Sequence, residues 1–144
     1  MSRRILFVDD EDWSVSPYFE ILQDHDIAVD LAENGDKAME FLRKGDYDLI
    51  VLDMMFAPGT IMGEGVQPRK SGATLLKKLR SHDIPNLQVK PDLPVLVLTA
   101  VTDQRLLDEI REMEVAAILR KPISFDEVVE TVLRILGIPP GVAK

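Results

Sequence analysis

The hydrophobic positions of the chain form short, evenly separated runs. Three runs are apolar at every position and too short for a helix, which is typical of parallel strands buried on both faces; they are residues 5–8, 49–52 and 95–98. Residues 28–31 alternate between apolar and polar, as an edge strand does, and residues 117–119 are a weaker candidate. The sequence therefore predicts five strands.

Helical periodicity lies between and after these runs. Apolar residues from Phe125 to Leu136 keep i, i+3, i+4 spacing for three turns. Ser124 and Glu127 predict a capping box at the start of this helix, and Gly137 predicts its end. The other predicted helices are one between Asn34 and Gly45, one with Leu75, Leu76 and Leu79, one from Leu106 to Met113, and a less regular first helix with Pro17 in its opening turn and Tyr18, Ile21 and Leu22 on its core face.

Strand and helix alternate five times along the chain. Right-handed crossovers then give an α/β fold, with an open parallel sheet that carries helices on both faces. A length of 144 residues is that of one domain of common size. We predict one domain over residues 1–137, followed by residues 138–144 as a C-terminal tail or the start of a linker.

Composition excludes several kinds of partner and site. A net charge of -8, with 17 scattered Lys and Arg residues, is unsuited to a phosphate backbone, so we expect no direct nucleic acid binding. The chain has no cysteine, which excludes disulfides and thiolate metal sites. The first apolar run is too short for a signal peptide or membrane span, so we expect a cytoplasmic protein with no membrane partner.

Polar residues stand where the predicted strands end. In such a sheet the ligand crevice lies beyond the carboxyl ends of the strands. There the sequence places Asp9 and Asp10 after the first strand, Asp53 after the third, Thr99 after the fourth and Lys121 after the fifth. Three close carboxylates repel one another and call for a divalent cation, and oxygen ligands favour Mg²⁺. The Thr99 hydroxyl and the Lys121 ammonium could bind the oxygens of a phosphoryl group. Together with the carboxylates, they predict phosphoryl transfer to a carboxylate.

Each of these residues alone has an ordinary structural explanation. An acidic pair after a strand commonly caps a helix, and a single Asp there is commonly a turn residue. Thr99 alone is most often packing or a cap, and Lys121 with Pro122 is most often the start of a loop. The joint placement at successive strand ends favours the chemical interpretation.

Four separated motifs resemble those of the response-regulator receiver family of two-component signalling, and the resemblance extends from Ile5 to about Leu136. The motifs are Val8-Asp9-Asp10-Glu11, Leu52-Asp53-Met54-Met55, Leu98-Thr99-Ala100 and Lys121-Pro122. The resemblance implies a flavodoxin-like, doubly wound sheet of order 2-1-3-4-5 and a cis bond between Lys121 and Pro122.

The resemblance also implies the role of each site residue. The Mg²⁺ ligands, with Mn²⁺ as a substitute ion, would be Asp9, Asp10, Asp53 and the backbone carbonyl of Met55. Asp53 would accept the phosphoryl group, and Thr99 and Lys121 would hold it. The donor would be a phosphohistidine on a sensor histidine kinase or a histidine phosphotransfer protein. Such a chain is a switch for a downstream protein partner rather than an enzyme, although it promotes its own phosphorylation and slow dephosphorylation.

The sequence departs from the family pattern at three places. Ile118 stands where an aromatic residue is usual, so the usual coupled motion of threonine and ring is not expected. The loop over residues 54–70 is unusually long, and two interpretations stay open: a lid or partner surface, and a tolerated insertion. Met55 and Val101 are apolar and cannot orient an attacking water, which predicts a long-lived acyl phosphate.

Two other functions compete with the switch. A receiver-like interaction module that is independent of phosphorylation would also explain Ile118. An enzyme on the same fold fits poorly, because a haloacid-dehalogenase-type phosphatase would have Asp at the position of Met55. A flavin carrier would have a Ser/Thr-rich phosphate loop after the first strand, and this chain has Asp9 and Asp10 there.

Overall fold

A five-stranded parallel sheet forms the centre of the molecule. The computed structural model describes residues 3–9, 18, 20–54, 71–81, 92–100 and 103–138, except for the side chains of Ser71 and Phe125. The strands are β1 (Arg3–Val8), β2 (Ile27–Ala32), β3 (Leu49–Asp53), β4 (Val95–Thr99) and β5 (Ala117–Arg120). Their order is β2-β1-β3-β4-β5, and every neighbouring pair is parallel. The predicted strands and their predicted order are confirmed.

Helices connect these strands. They are α1 (residues 20–24, with Tyr18 also helical), α2 (Gly35–Lys44), α3 (Ser71–Arg80), α4 (Gln104–Glu112) and α5 (Phe125–Leu136). The predicted opening of the first helix at Pro17 lies outside the described residues. Among the helices that are described, none is long and apolar enough to span a membrane.

The helix ends follow from local hydrogen bonds. The Asn34 side chain accepts a hydrogen bond of 2.8 Å from the Lys37 amide, and Ser124 Oγ accepts one of 3.1 Å from the Glu127 amide. Gly137 ends α5 in the left-handed region with φ 72°, which glycine adopts without steric cost. The predicted start of α2 and both predicted ends of α5 are confirmed.

Alternate residues of each strand enter one of two apolar clusters. The first cluster packs against α2, α3 and α4 and contains Leu6, Val8, Ile50, Leu52, Val95 and Val97 from the strands. The second packs against α1 and α5, and we refer to it as the α1/α5 face; its strand residues include Ile5, Phe7, Leu49, Val51, Leu96 and Leu98. Both faces of the sheet are therefore covered, as a doubly wound fold requires.

A polar network stabilises the amino ends of β1 and β3, away from the carboxyl edge. The Tyr47 hydroxyl donates a hydrogen bond of 2.7 Å to Asp30 Oδ2, and Arg4 Nε lies 3.3 Å from the same oxygen. The Arg4 guanidinium also lies 5.6 Å from the centre of the Tyr47 ring. Burial, followed by the bond to Asp30 and its charge, raises the pKa of Tyr47 well above its usual 10.0.

Candidate functional site

Two of the predicted acidic residues lie side by side at the carboxyl edge of the sheet. β1 and β3 pair in register through Val8 and Leu52, so Asp9 and Asp53 come next at the same edge. The Asp9 amide donates to the Ala32 carbonyl at 3.0 Å, which extends the pairing of β1 with β2 by one step. Asp9 is 6% exposed and Asp53 is 9% exposed. Two buried carboxylates at one edge favour the approach of positive charge.

Lys121 supplies positive charge to this edge. Its Nζ lies 3.0 Å from Asp53 Oδ2, and the carboxylate is the more buried partner, with the two side chains 11% and 38% exposed. The Lys121 amide donates to the Thr99 carbonyl at 2.8 Å, so β4 fixes the lysine backbone. Thr99 itself is fully buried. The bond between Lys121 and Pro122 is cis, as predicted.

The metal site is only partly within the described residues. Asp10 and Met55, two of the predicted ligands, lie outside them. In the part of the chain that the structure describes, no three acidic or histidine side chains gather to hold a metal. The buried carboxylates of Asp9 and Asp53 nevertheless fit a hard cation such as Mg²⁺, which takes oxygen ligands and retains water in its remaining positions. The full ligand set stays a prediction.

Gly72 is a positioning residue that the sequence analysis missed. A Cβ atom at Gly72 would lie 2.7 Å from Met54 Cα and 3.0 Å from the carbonyl oxygen of Asp53. The Gly72 amide donates to the Met54 carbonyl at 3.1 Å. The first turn of α3 therefore lies directly on the backbone that carries Asp53. The sequence signal for this contact was weak: a glycine beside a helical pattern can indicate that another backbone lies close to it.

Ile118 stands where the family usually has an aromatic residue. Its side chain is partly buried against the first cluster, which packs against α2, α3 and α4. It also lines a shallow surface cleft together with Arg111, Val115 and Ala117. The departure from the family pattern is thus located on β5, three residues before the lysine that contacts Asp53.

Comparison with known proteins identifies the family. Residues 5–133 match the model described as the response regulator receiver domain. The chain belongs to the response regulator receiver family. This receiver domain is 29% identical over 126 residues to the transcriptional regulatory protein DltR of Streptococcus agalactiae serotype III (strain NEM316), a match that covers 86% of this chain and 47% of DltR. The chain therefore spans about half the length of that relative.

Two further proteins resemble this receiver domain over nearly their whole length. Protein CcdB of Bacillus subtilis (strain 168) is 27% identical over 135 residues, which covers 93% of this chain and 98% of CcdB. The response regulator TrrA from Thermotoga maritima, solved in complex with Mg(2+)-BeF, is 29% identical with a TM-score of 0.66, over 92% of this chain and 98% of TrrA. The family resemblance that the four motifs predicted is confirmed.

Proposed function

We propose that this receiver domain is a phosphorylation-controlled switch in which Asp53 accepts a phosphoryl group. The observation that carries the proposal is the contact of 3.0 Å between Lys121 Nζ and Asp53 Oδ2, at an edge where Asp9 and Asp53 are both buried. An ammonium beside a buried carboxylate neutralises charge that would otherwise repel an anionic phosphoryl donor.

The proposed donor is a phosphohistidine on a sensor histidine kinase or a histidine phosphotransfer protein. A carboxylate oxygen of Asp53 attacks phosphorus as the bond from phosphorus to the imidazole nitrogen breaks. The electron pair of that bond stays on the imidazole nitrogen, which takes up a proton from solvent. The products are an acyl phosphate on Asp53 and a free histidine, so no other reactant is needed.

The other residues of the site hold and neutralise the transferred group. We assign the metal ligands, for Mg²⁺ or for Mn²⁺ as a substitute, to Asp9, Asp10, Asp53 and the carbonyl of Met55. When bound, the cation would offset charge on the phosphoryl oxygens. The Thr99 hydroxyl donates a hydrogen bond to one phosphoryl oxygen, and the Lys121 ammonium, held beside Asp53, donates one to another.

The proposed output is a change in binding to a downstream protein partner. The phosphoryl group turns over slowly, because the apolar Met55 and Val101 cannot orient water, so the chain acts as a switch rather than an enzyme. We retain the expected cytoplasmic location and the expected absence of direct nucleic acid binding for this receiver domain. DltR, which is about twice as long, is named as a transcriptional regulatory protein.

The second candidate is a receiver-like interaction module that works without phosphorylation. Ile118 favours it, because an aliphatic side chain packed on β5 offers no ring to move with Thr99. The two candidates differ in metal dependence, since only the switch requires Mg²⁺ and the Asp53 carboxylate.

Nuclear magnetic resonance with beryllofluoride, a phosphoryl mimic, separates the two candidates. For the switch, Mg²⁺ with beryllofluoride shifts the amide signals of Asp53, Thr99 and Lys121, and Asp53→Asn abolishes the shifts. Asp46→Asn is the matched control, because Asp46 is an exposed carboxylate before β3 at the other end of the sheet. Identical spectra with and without the mimic, or shifts that persist in Asp53→Asn, would favour the interaction module.

A further inference from the structure

Tyr18 lies in α1 beneath the site and has no part in the chemistry described above. Its ring stacks on Phe7, with ring centres 5.8 Å apart and planes inclined by 22°. Phe7 is a buried residue of β1 and comes two residues before Asp9. The stack therefore anchors the tyrosine close to the end of β1 that carries the first acidic residue.

The direction of the helix carries the Tyr18 hydroxyl toward the site. Because β1 and β2 are parallel, α1 between them runs back along the sheet and begins at its carboxyl edge. Side chains on an α-helix lean toward its amino terminus. The phenol of Tyr18 consequently extends from the Phe7 ring toward the edge where Asp9 lies.

Strand alternation places the charged groups of the site on the same side of the sheet. Successive side chains of a strand point to opposite faces. Asp9, Asp53 and Lys121 each come two residues after a member of the α1/α5 face, namely Phe7, Val51 and Leu119. Tyr18 packs against the same face. The tyrosine and the three charged groups therefore lie on the same face of the sheet.

The electrostatic surroundings of Tyr18 agree with this placement. Burial raises the pKa of the phenol above its usual 10.0, the Lys121 ammonium acts in the lowering direction, and the Asp9 carboxylate acts in the raising direction. Both directions are those expected for a phenol that shares the α1/α5 face with Lys121 and Asp9. The hydroxyl is a neutral, dipolar group at neutral pH.

We infer that Tyr18 is a positioning residue for Lys121, whose ring and hydroxyl together restrict the lysine stem and hold its ammonium at Asp53. A lysine side chain is a flexible four-carbon stem, so its placement at 3.0 Å from a carboxylate loses rotamer freedom. A phenol on the α1/α5 face, with its ring fixed by Phe7, reduces the alternatives. The consequence for phosphorylation rests on the proposed function, while the effect on Lys121 does not.

A double-mutant cycle tests whether Tyr18 acts through Lys121. Tyr18→Phe removes the hydroxyl and keeps the stacked ring. We expect it to slow phosphorylation by acetyl phosphate by about three- to tenfold, which corresponds to the loss of one interaction as strong as a typical hydrogen bond. In a Lys121→Met background the same change should slow the reaction by less than about 1.5-fold, because the two residues form one unit.

Tyr47→Phe is the matched control. It removes a buried phenol hydroxyl at the opposite end of the sheet, so it should lower stability without changing the phosphorylation rate. Equal slowing by Tyr18→Phe with and without Lys121 would overturn the inference, because it would indicate a general structural effect. No slowing in either background would overturn it as well.

A second readout does not depend on phosphorylation. Nuclear spin relaxation of the Lys121 ε-methylene in the unphosphorylated protein reports how tightly the stem is held. We expect greater mobility in Tyr18→Phe and no change in Tyr47→Phe. Equal mobility in the parent chain and Tyr18→Phe would overturn the inference. A parent chain that takes up no phosphoryl group would instead count against the proposed function, and the relaxation data would still decide the role of Tyr18.

Discussion

Gly72 allows α3 to approach the backbone that carries Asp53 more closely than any other residue would. In most helices an alanine is more stable than a glycine by roughly 0.5–1 kcal/mol, because glycine loses more backbone freedom on folding. Here the added methyl group would lie 2.7 Å from Met54 Cα and 2.9 Å from Met54 Sδ. Backbone atoms cannot yield as a flexible side chain can, so the usual preference should reverse.

We predict that Gly72→Ala lowers the free energy of unfolding by about 1–3 kcal/mol, the cost of overpacking a close contact. It should also slow phosphorylation, because α3 would push against the backbone of Asp53. Urea unfolding and the rate with acetyl phosphate are the measurements. Gly45→Ala is the control: its Cβ would lie 3.5 Å or more from its neighbours, and it should change stability by less than about 0.5 kcal/mol. Equal effects at both glycines would contradict the account.

Tyr47 makes stability depend on pH in the alkaline range. Its pKa is raised in the folded protein by burial and by its bond to Asp30, so the folded state keeps a proton that the unfolded state releases near pH 10. The stabilising contribution is therefore fully present below the unfolded pKa and is lost as pH rises above it. Asp30 and Arg4 are the charged groups around the phenol that contribute to this shift.

We predict that the free energy of unfolding falls less steeply above about pH 10 in Tyr47→Phe than in the parent chain. The difference in slope should approach at most about 1.4 kcal/mol per pH unit, the limit for one proton. Urea unfolding at a series of alkaline pH values measures it. Parallel curves for the two proteins would show that the Tyr47 proton is not linked to folding.

At the scale of elements, Arg80 joins three parts of the fold. Its Nε donates to the Met113 carbonyl at 2.9 Å, and Nη1 donates to the Leu93 carbonyl at 2.8 Å. Nη2 donates to the carbonyl of Glu114 at 3.4 Å, where the backbone has a left-handed φ of 57°. Burial lowers the pKa of Arg80, which nevertheless stays cationic at neutral pH. One side chain thus ties the end of α3 to the start of β4 and the end of α4.

We predict that Arg80→Met lowers the free energy of unfolding by about 2–4 kcal/mol, because it leaves backbone carbonyls without a donor. Hydrogen exchange should accelerate first around residues 110–114. Arg80→Lys should be intermediate, since one ammonium cannot reproduce the fork of the guanidinium. Arg111→Met is the control, because its pair with Asp108 is exposed and contributes less than about 0.5 kcal/mol. Similar losses for Arg80→Met and Arg111→Met would contradict the proposed anchor.

The elements themselves were predictable because their signals are local. An all-apolar run such as residues 49–52 indicates a strand covered on both faces, and a cap such as Ser124 marks a helix start within four residues. Arg80 and Tyr47 were not recognised, because their partners lie 33 and 17 residues away and depend on strand register. The pattern of apolar and polar residues alone does not determine which side chains of different helices and strands contact each other.

The candidate site could be predicted only in part. Because Asp9, Asp53, Thr99 and Lys121 each follow a predicted strand, the sequence alone placed them at one edge of the sheet. The family resemblance supplied the strand order. The contribution of Gly72 requires the distance between α3 and β3, which no sequence pattern gives. The packing of Tyr18 on the α1/α5 face requires knowledge of which sheet face α1 covers.

At the scale of the whole molecule, the site lies where the central strands of the sheet end. β1, β3 and β4 are covered by helices on both faces, so their carboxyl ends are held by two apolar clusters. The backbone that carries Asp53 is therefore packed from both sides of the sheet. A net charge of -8 favours cations over anions near the molecule, so we expect an anionic donor to depend on a divalent ion and on Lys121 at this edge.

Intact mass spectrometry after incubation with acetyl phosphate and Mg²⁺ tests whether Asp53 accepts a phosphoryl group. We predict one phosphoryl adduct that is absent from Asp53→Asn and absent when the metal is removed by a chelator. We also expect the adduct to decay slowly, because the side chains of Met55 and Val101 offer no hydrogen bond to water. Absence of any adduct would contradict the proposed switch and favour the phosphorylation-independent module, and an adduct that persists in Asp53→Asn would contradict the assignment of Asp53 as the acceptor.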